Sequence, residues 1–301
     1  MYDIAIIGAG PAGMTAALYA RRAEKSVLVI EKGAFGGQMT FSPRIENYPG
    51  FASVSGIELA DAMVGQVLEQ GAELEPDEIT SVEKTGSGFQ LTGGYGVYEA
   101  KAVILAAGAR HRLLGVEREG DFIGEGISYC AVCDGPFYKG KRVVVVGGGN
   151  SALQEAILLA EGCSKVTLVQ NLDYFTGEKK LLDRLSGFGN VEFITGHTVT
   201  GLVGDNSLTG IRISGADGDR VIDTDGVFVA IGLVPQNAPF SSVAGLDGRG
   251  YIVSGEDTLT GTEGVFAAGD CRTKSVRQIA TAVADGASAA LAACSYLDGV
   301  R

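Results

Sequence analysis

The chain has 301 residues, enough for two ordinary domains, and its 46% hydrophobic and 20% charged residues are typical of a globular protein. The formal net charge of −12 argues against nucleic acid or an anionic membrane as the main partner. Only two histidines, His111 and His197, are available for a metal site or a Ser–His triad, and we expect neither. No apolar run approaches the roughly 20 residues of a membrane span, and the first ten residues predict a strand, not a signal peptide.

The first predicted elements are a buried strand, a glycine-rich turn, a helix and a second strand across residues 4–33. Gly8, Gly10 and Gly13 have the spacing of the dinucleotide fingerprint, in which they make the turn, admit a pyrophosphate and allow the helix to pack closely. The start of the helix offers free N–H groups to phosphates. Glu31 closes the second strand, where a carboxylate can bond a ribose hydroxyl. This segment therefore predicts a nucleotide-binding unit.

The same pattern recurs without gaps at residues 143–172, where Gly147, Gly149 and Ala152 keep the turn intact. Residues 264–293 predict a strand, an Ala-Gly-Asp turn and a helix of small residues, which would complete the first unit. We expect an α/β fold of two Rossmann-like, three-layer ββα dinucleotide-binding domains, the second inserted into the first. The expected bounds are 1–115 with 242–301 for the first domain, and 116–241 for the inserted domain.

Two cysteines, Cys130 and Cys133, stand two residues apart and are followed by Asp134. A zinc site needs about four ligands, and the sequence has no second CxxC and no paired histidines. A structural disulfide that closes so short a loop would constrain the unfolded chain little. The pair is therefore predicted to be redox-active, because this spacing lets one thiolate attack while the other resolves the mixed disulfide.

Seven pieces of the sequence resemble, in order and spacing, the low-molecular-weight thioredoxin reductases over essentially the whole chain. These pieces are GAGPAG (8–13), GGQ (36–38), ENYPG (46–50), AAGA (106–109), CAVCDG (130–135), GGGNSA (147–152) and GVFAAGDC…RQIATAVADG (264–286). The resemblance implies a cytoplasmic, homodimeric flavoprotein oxidoreductase that binds FAD and reduces the disulfide of thioredoxin.

The resemblance also implies the residues that contact FAD, from its pyrophosphate and ribose to its ribityl chain and flavin ring. They are Gly8, Gly10, Ala12, Gly13, Glu31, Gly37, Gln38, Asn47, Ala107, Gly108, Gly269, Asp270, Arg277, Gln278 and Ile279. Taken singly, Asn47 could be an ordinary turn residue and Asp270 a helix N-cap. As an ordered set they favour the cofactor.

The same resemblance implies roles for the cysteine pair. Cys133 faces the flavin and takes electrons from it, Cys130 attacks the disulfide of the protein substrate, and Asp134 is the general acid/base for the departing thiol. One dithiol must then meet the flavin at one moment and a protein at another. A rotation of one domain against the other satisfies both needs.

The second fingerprint departs from the family in the loop after its second strand. Members that use NADPH carry a His-Arg-Arg cluster there and another Arg four residues on, which hold the 2′-phosphate. This chain has four uncharged residues at those positions: Gln170, Asn171, Leu172 and Thr176. Gln170 also takes the place of Glu31 in the repeat, so the strand end lacks the acid that would suit NADH. Asp173 and Lys179 follow, but their spacing does not place them well.

Relatives without the arginine cluster include enzymes that take electrons from reduced ferredoxin, and this chain looks similar to those. We therefore expect ferredoxin as the donor, docked on basic residues at 110–112 or 139–142. An NADH-dependent, or weakly NADPH-dependent, disulfide reductase is the alternative. The rival outside enzymes is a flavin-bearing redox sensor. The other cysteines are scattered, which favours a reducing cytoplasm; they are Cys163, Cys271 and Cys294.

Overall fold

A computed structural model describes residues 1–42 and 44–299 of the chain. It divides into two compact units: unit 1 holds residues 1–110 and the chain from Val234 onward, and unit 2 holds His111–Leu233. The domain bounds expected from sequence, 115/116 and 241/242, lie a few residues after these two crossings. Pro43, Val300 and Arg301 belong to the expected first domain and lie outside the described residues.

The elements in the described parts of the chain alternate between strands and helices. The strands are β1 (Tyr2–Ile7), β2 (Val27–Glu31), β3 (Glu73–Pro76), β4 (Ile79–Thr85), β5 (Gly88–Gly93), β6 (Val97–Leu105), β7 (Ala109–His111), β8 (Ile127–Ser128), β9 (Arg142–Val146), β10 (Lys165–Val169), β11 (Val191–Ile194), β12 (His197–Gly204), β13 (Leu208–Gly215), β14 (Gly218–Asp223), β15 (Gly226–Val229), β16 (Leu233–Pro235) and β17 (Val265–Ala267). The helices are α1 (Pro11–Arg22), α2 (Gly56–Glu69), α3 (Ala131–Asp134), α4 (Asn150–Ala160), α5 (Lys179–Ser186) and α6 (Ile279–Leu297).

The sheet of unit 1 joins a parallel part to an antiparallel part through β6. Its order is β3-β2-β1-β6-β5-β4, and β17 pairs with the C-terminal half of β6. That half lies parallel to β1, whereas the N-terminal half pairs antiparallel with β5. Ile4 and Ile6 are fully buried on one face and Ala5 and Ile7 are buried on the other. Burial on both faces explains why β1 is an apolar run, and it aligns the carboxyl ends of the parallel strands.

Helices α1 and α6 cover one face of this sheet. Their contact is made by small residues, among them Ala16, Ala17, Ala289 and Ala293, all 0% exposed. Within the described residues, α6 is the one helix that by length and composition could cross a membrane. Its alanines Ala289, Ala290 and Ala293 are fully buried and pack in the core of unit 1 with α1.

Unit 2 repeats the three layers. A parallel sheet of order β11-β10-β9-β15-β8 lies between helices and the antiparallel sheet β12-β13-β14. Alternate residues of β9 face opposite layers: Val143 and Val145 pack with α4, while Val144 and Val146 pack with the strands of the smaller sheet. The α/β fold with two dinucleotide-binding domains, predicted from the repeat, is confirmed.

Candidate functional site

The first glycine turn lies at the carboxyl end of β1, where β1 meets β6. Gly8 has φ +107°, and a Cβ there would lie 2.3 Å from the Ala106 carbonyl oxygen. A Cβ at Gly13 would lie 1.8 Å from the Gly8 carbonyl oxygen, which is the close packing the sequence predicts. Gly10 differs, because the heavy atom nearest to its Cβ position is 4.0 Å away. The turn therefore leaves space outside Gly10, next to the free amides of α1.

Glu31 ends β2 and bonds the same turn. Its Oε2 accepts from the Ala9 N–H at 2.8 Å, and its Oε1 accepts from the Gly33 N–H at 2.8 Å. Two backbone donors thus fix the carboxylate at the mouth of the turn. Because a carboxylate has about four acceptor positions, it still has room for the hydroxyls of a ribose.

A 3₁₀ helix, Gly37–Phe41, begins against the turn. The Gly36 N–H donates to the Ala9 carbonyl oxygen at 2.8 Å, and a Cβ at Gly37 would lie 3.3 Å from the Gly10 Cα. Gln38 follows with an exposed side chain. The fold therefore places Gly37 next to Gly10, and the contacts of Gly37 and Gln38 with the flavin ring or its linker stay a prediction.

The acid of the Ala-Gly-Asp turn follows β17. Asp270 lies in a short 3₁₀ helix, Gly269–Cys271, and its Oδ1 is buried with no hydrogen-bond partner among the described residues. Burial raises the pKa of Asp270, while the charges of Lys274 and Arg277 oppose the rise. A buried carboxyl oxygen without a partner is costly, and a ligand hydroxyl would satisfy it.

Asn47 and Gln278, which are distant in sequence, meet in the structure. The Asn47 Nδ2 donates to the Gln278 Oε1 at 3.2 Å. Gln278 is the N-cap residue of α6, and Ile279 begins that helix and packs on the small cluster around Met39. Arg277 lies over the Tyr251 ring, with its guanidinium carbon 4.4 Å from the ring centroid.

Ala107 and Gly108 follow β6. Next to them the Cys271 thiol, which is fully buried, donates to the Leu105 carbonyl oxygen at 3.2 Å. No heavy atom lies within 4 Å of the Cβ position of Gly108, so this side of the strand end is open.

Sequence reasoning missed a buried ion cluster that holds the Asp270 turn. Asp285 accepts from the Gly269 N–H at 2.9 Å and from Nη2 of Arg272 at 2.8 Å and Nζ of Lys274 at 2.9 Å. Burial acts to raise the pKa of Asp285, but the bonds from Arg272 and Lys274 outweigh it and lower that pKa. The three charges lie within a recognised motif, yet their spacing does not show that they pair.

In unit 2 a disulfide joins Cys130 and Cys133. Cys130 is the N-cap residue of α3, the single helical turn between β8 and the segment that leads to β9. The Cys133 N–H donates to the Cys130 Sγ at 3.2 Å. A backbone donor and the start of a helical turn both favour a thiolate on Cys130 after reduction.

Asp134 is tied to this turn through Ser128, a residue that carries no motif signal. The Cys130 N–H donates to the Ser128 Oγ at 3.1 Å, and this hydroxyl donates to the Asp134 Oδ2 at 2.6 Å. The Asp134 Oδ1 is buried and unpartnered in the described part of the chain. Burial raises the pKa of Asp134 against the opposing bond from Ser128. A carboxyl that keeps its proton to higher pH suits a general acid.

The second glycine turn is covered by its own following loop. Gln170 is 6% exposed; its Oε1 accepts from the Asn171 N–H at 3.1 Å and its Nε2 donates to the Tyr174 carbonyl oxygen at 3.4 Å. A Cβ at Gly148 would lie 2.3 Å from that Nε2, and the Thr176 N–H donates to the Gly148 carbonyl oxygen at 2.8 Å. The described residues contain no group of three or more His, Cys, Asp or Glu side chains that could hold a metal ion.

Comparison with known proteins agrees with this geometry. The family model of the pyridine nucleotide-disulphide oxidoreductases matches residues 2–286. The thioredoxin reductase of Listeria innocua is 44% identical over 304 residues, which span 100% of this chain and 95% of that protein. The thioredoxin reductase of Bacillus subtilis is 43% identical over 307 residues, 100% of this chain and 96% of that protein. The crystal structure of the Streptococcus pyogenes thioredoxin reductase, 40% identical, covers 99% of both chains with a TM-score of 0.94.

The chain belongs to the thioredoxin reductases. The reductase is a flavin-dependent disulfide oxidoreductase, and its cofactor is FAD. FAD, when bound, accepts and passes on the two electrons that open a disulfide.

The described residues of unit 1 fit FAD. The open space outside Gly10 and Gly108 and the free amides of α1 suit a pyrophosphate. Glu31 keeps acceptor positions for the ribose, and the Asp270 Oδ1 has no other partner among the described residues. These three features are independent, and one elongated polyhydroxyl cofactor would use all of them.

Proposed function

We propose that this reductase reduces the disulfide of thioredoxin through Cys130 and Cys133, and that its efficient electron donor is reduced ferredoxin and not NADPH. The buried Gln170 at the end of β10 supports the donor assignment, and the Cys130–Cys133 turn supports the disulfide chemistry. We place unit 1 as the FAD-binding domain and unit 2 as the redox-active domain.

The disulfide exchange uses the two cysteines in sequence. Two electrons open the Cys130–Cys133 bond, and we assign Cys133 as the sulfur that receives them. The Cys130 thiolate then attacks one sulfur of thioredoxin, and the other substrate sulfur leaves and takes a proton from Asp134. Cys133 attacks the mixed disulfide, which restores the enzyme disulfide and releases the second substrate thiol.

Single cysteine variants test these roles. Cys133→Ser should accumulate a mixed disulfide between Cys130 and thioredoxin, because the resolving sulfur is gone, whereas Cys130→Ser should not. Non-reducing electrophoresis and mass spectrometry of the linked peptides measure the outcome. Near-normal turnover by either variant would show that the dithiol relay is wrong.

The loop after β10 argues against NADPH. Asn171, Leu172 and Thr176 are exposed and uncharged, so a 2′-phosphate would meet no arginine there. Hydrogen bonds to charged groups contribute about 1.5–3 kcal/mol each. Because about 1.4 kcal/mol is a tenfold change, the loss of two or more such bonds weakens NADPH binding by roughly a hundredfold or more.

NADH is the second candidate donor, and one observation favours it. The Cβ position of Gly149 has its nearest heavy atom at 3.8 Å, the Thr176 Oγ1, so the turn itself still has room for a pyrophosphate. NADH has no 2′-phosphate, so the absence of the arginines does not weaken its binding. Against NADH, both ends of the Gln170 amide are bonded within the loop, which leaves the ribose hydroxyls without the usual acceptor.

Basic residues for a ferredoxin are present in both segments that the sequence indicates. Lys139 and Lys141 are exposed, but Arg142 is paired with Asp225 at 3.4 Å. Burial lowers the pKa of His111 to about 4, so this histidine adds no charge to the exposed arginines on either side of it. Both proteins would be acidic overall, and local positive charge would be needed for docking.

Anaerobic titration of the oxidised enzyme with each donor tests the assignment through bleaching of the flavin. Reduced ferredoxin should act quickly and with strong salt dependence, whereas NADPH and NADH should be slow even at millimolar concentration. The double variant Lys139→Glu, Lys141→Glu should slow the reduction of the flavin by ferredoxin. A charge reversal elsewhere in unit 2, Arg220→Glu on β14, is the control and should leave that rate unchanged. Rapid reduction by micromolar NADPH would contradict the donor assignment and leave the disulfide chemistry intact.

The free cysteines support a reducing compartment. Cys163, Cys271 and Cys294 are all buried thiols, and we place the reductase in the cytoplasm. The homodimer implied by the resemblance stays a prediction, which sedimentation equilibrium would test.

A further inference from the structure

A second carboxyl group of unit 2 lies next to the redox turn, and the disulfide exchange described above does not use it. Glu155 lies on α4, whose Ala152 and Ala156 pack in one buried cluster with Ala131, and the Ala131 N–H acts to lower the pKa of the Glu155 carboxyl group. Ala131 is the first residue of α3 and stands between the two cysteines. The Glu155 side chain is partly exposed, but its Oε2 is buried and has no hydrogen-bond partner among the described residues.

We propose that Glu155 is a positioning residue of the redox turn, a buried carboxyl that takes up a proton when the Cys130–Cys133 disulfide is reduced to a thiol and a thiolate. The inference rests on the proposed disulfide exchange. Its chemical basis is that a carboxylate and a thiolate at the start of the same helical turn would repel each other. One of the two groups must therefore hold a proton.

The step balances in charge and atoms. The oxidised turn with an ionised Glu155 takes two electrons, supplied by the reduced cofactor, and two protons from solvent. The Sγ–Sγ bond breaks, one proton goes to one sulfur, the other goes to Glu155, and the second sulfur remains a thiolate. When the thiolate has reduced a substrate disulfide, Glu155 returns its proton.

The surroundings of Glu155 support a group that changes charge near neutral pH. Burial raises its pKa to about 7, against the lowering effect of the Ala131 N–H. The titratable and charged groups on its own helix, on the neighbouring elements α3, α5, β9 and β10 and in the segment after α3 are Cys130, Cys133, Asp134, Tyr138, Lys139, Lys141, Arg142, Glu161, Lys165, Lys179, Lys180, Asp183 and Arg184. Four of these are already in ion pairs: Arg184 with Glu161 at 3.1 Å, Arg142 with Asp225, and Lys165 with Glu192 at 2.7 Å. Burial, and not a neighbouring charge, is therefore the first cause of the shift.

The test is the pH profile of Cys130 alkylation by iodoacetamide in the FAD-loaded Cys133→Ser enzyme. Peptide mass spectrometry follows Cys130 alone. If Glu155 shares a proton with Cys130, the rate rises in two steps. Glu155→Gln keeps the size of the side chain but removes the charge, so the rate should rise in one step and be roughly tenfold faster near pH 8, the factor that one pKa unit gives.

The matched control is Glu161→Gln, which removes an exposed carboxylate from the same helix and should keep the two-step profile. A Glu155→Gln profile identical to that of its parent would overturn the proposal, because the Glu155 carboxyl group would then exchange no proton with the redox turn. If Glu155→Gln does not fold, a one-step profile in the parent Cys133→Ser enzyme overturns it equally. The readout needs neither thioredoxin nor an electron donor, so it is independent of the proposed function.

Discussion

The glycine turns after β1 and β9 share a sequence pattern but differ at the end of the next strand. Glu31 in unit 1 is held by the amides of Ala9 and Gly33 and keeps acceptor positions at the mouth of its turn. Gln170 in unit 2 takes the same place in the repeat, yet it is 6% exposed and bonds its own loop. The two units therefore share the geometry of the glycine turn and differ at the strand end and in the loop after it.

The largest effect expected from this comparison is in a matched pair of variants, Gly10→Ala and Gly149→Ala. Both glycines precede a helix with ordinary φ values, −76° and −87°, and both Cβ positions have room, so both variants should fold. A methyl group at residue 10 enters the space we assign to the FAD pyrophosphate. Overpacking costs about 1–3 kcal/mol, which corresponds to a roughly ten- to hundredfold loss of FAD affinity. Gly149→Ala should keep FAD and ferredoxin-driven turnover.

Flavin absorbance of the purified proteins and titration of the apoproteins with FAD measure this pair. Equal loss of FAD in both variants would contradict the assignment of the cofactor to the first turn. Loss of turnover in Gly149→Ala with FAD retained would instead show that a nucleotide uses the second turn.

The first turn shows how much the sequence could predict. The spacing of Gly8 and Gly13 predicts a close approach of backbone to backbone, and the structure has it, because that contact depends on local geometry within one βαβ unit. The Asp285 cluster could not be predicted in the same way. Its partners, Arg272 and Lys274, are brought to it by the packing of α6, which no local pattern encodes.

The same limit applies in unit 2. The CxxC pattern predicts the disulfide, whereas Ser128 and Glu155 reach the redox turn from β8 and α4. In the sequence, Ser128 and Glu155 carry no pattern that links them to the cysteine pair. The sequence does show that Gln170 is not an acid, but its burial depends on the path of the following loop.

The exchange of the two strand-end residues sharpens the comparison. Glu31→Gln should weaken FAD binding about tenfold, because the bonds to a charged acceptor become bonds to a neutral one. Gln170→Glu should not create a good NADH enzyme. The new carboxylate would replace the donor to the Tyr174 carbonyl oxygen inside a buried loop, at a cost of about 1–3 kcal/mol in the free energy of unfolding.

FAD titration measures the expected loss of affinity in the Glu31 variant. Urea unfolding and NADH kinetics measure the stability and the activity of the Gln170 variant. Efficient NADH turnover by Gln170→Glu would show that the loop opens to admit the ribose and that its bonds do not exclude the nucleotide. The proposed difference in ligand binding between the Glu31 and Gln170 strand ends would then be wrong.

The smallest effect concerns Asp270, the buried acid of unit 1, in the apoprotein. Because burial raises its folded pKa above the unfolded value of about 3.9, the stability it contributes is fully present below that value and is lost as pH rises through the folded pKa. Asp270→Asn removes this titration. As pH rises from 4 to 8, the free energy of unfolding of the variant apoprotein should increase relative to that of the wild type. The expected change is about 1 kcal/mol, the low end of the cost of an unpaired buried polar group. Urea unfolding of the two apoproteins at several pH values measures the difference, and Asp298→Asn, an exposed acid at the end of α6, is the control that should show less. The charges of Lys274 and Arg277 oppose the rise in the pKa of Asp270. If the free energy of unfolding of the variant instead fell relative to that of the wild type as pH rose, these charges would outweigh burial, and Asp270 would be ionised before FAD binds.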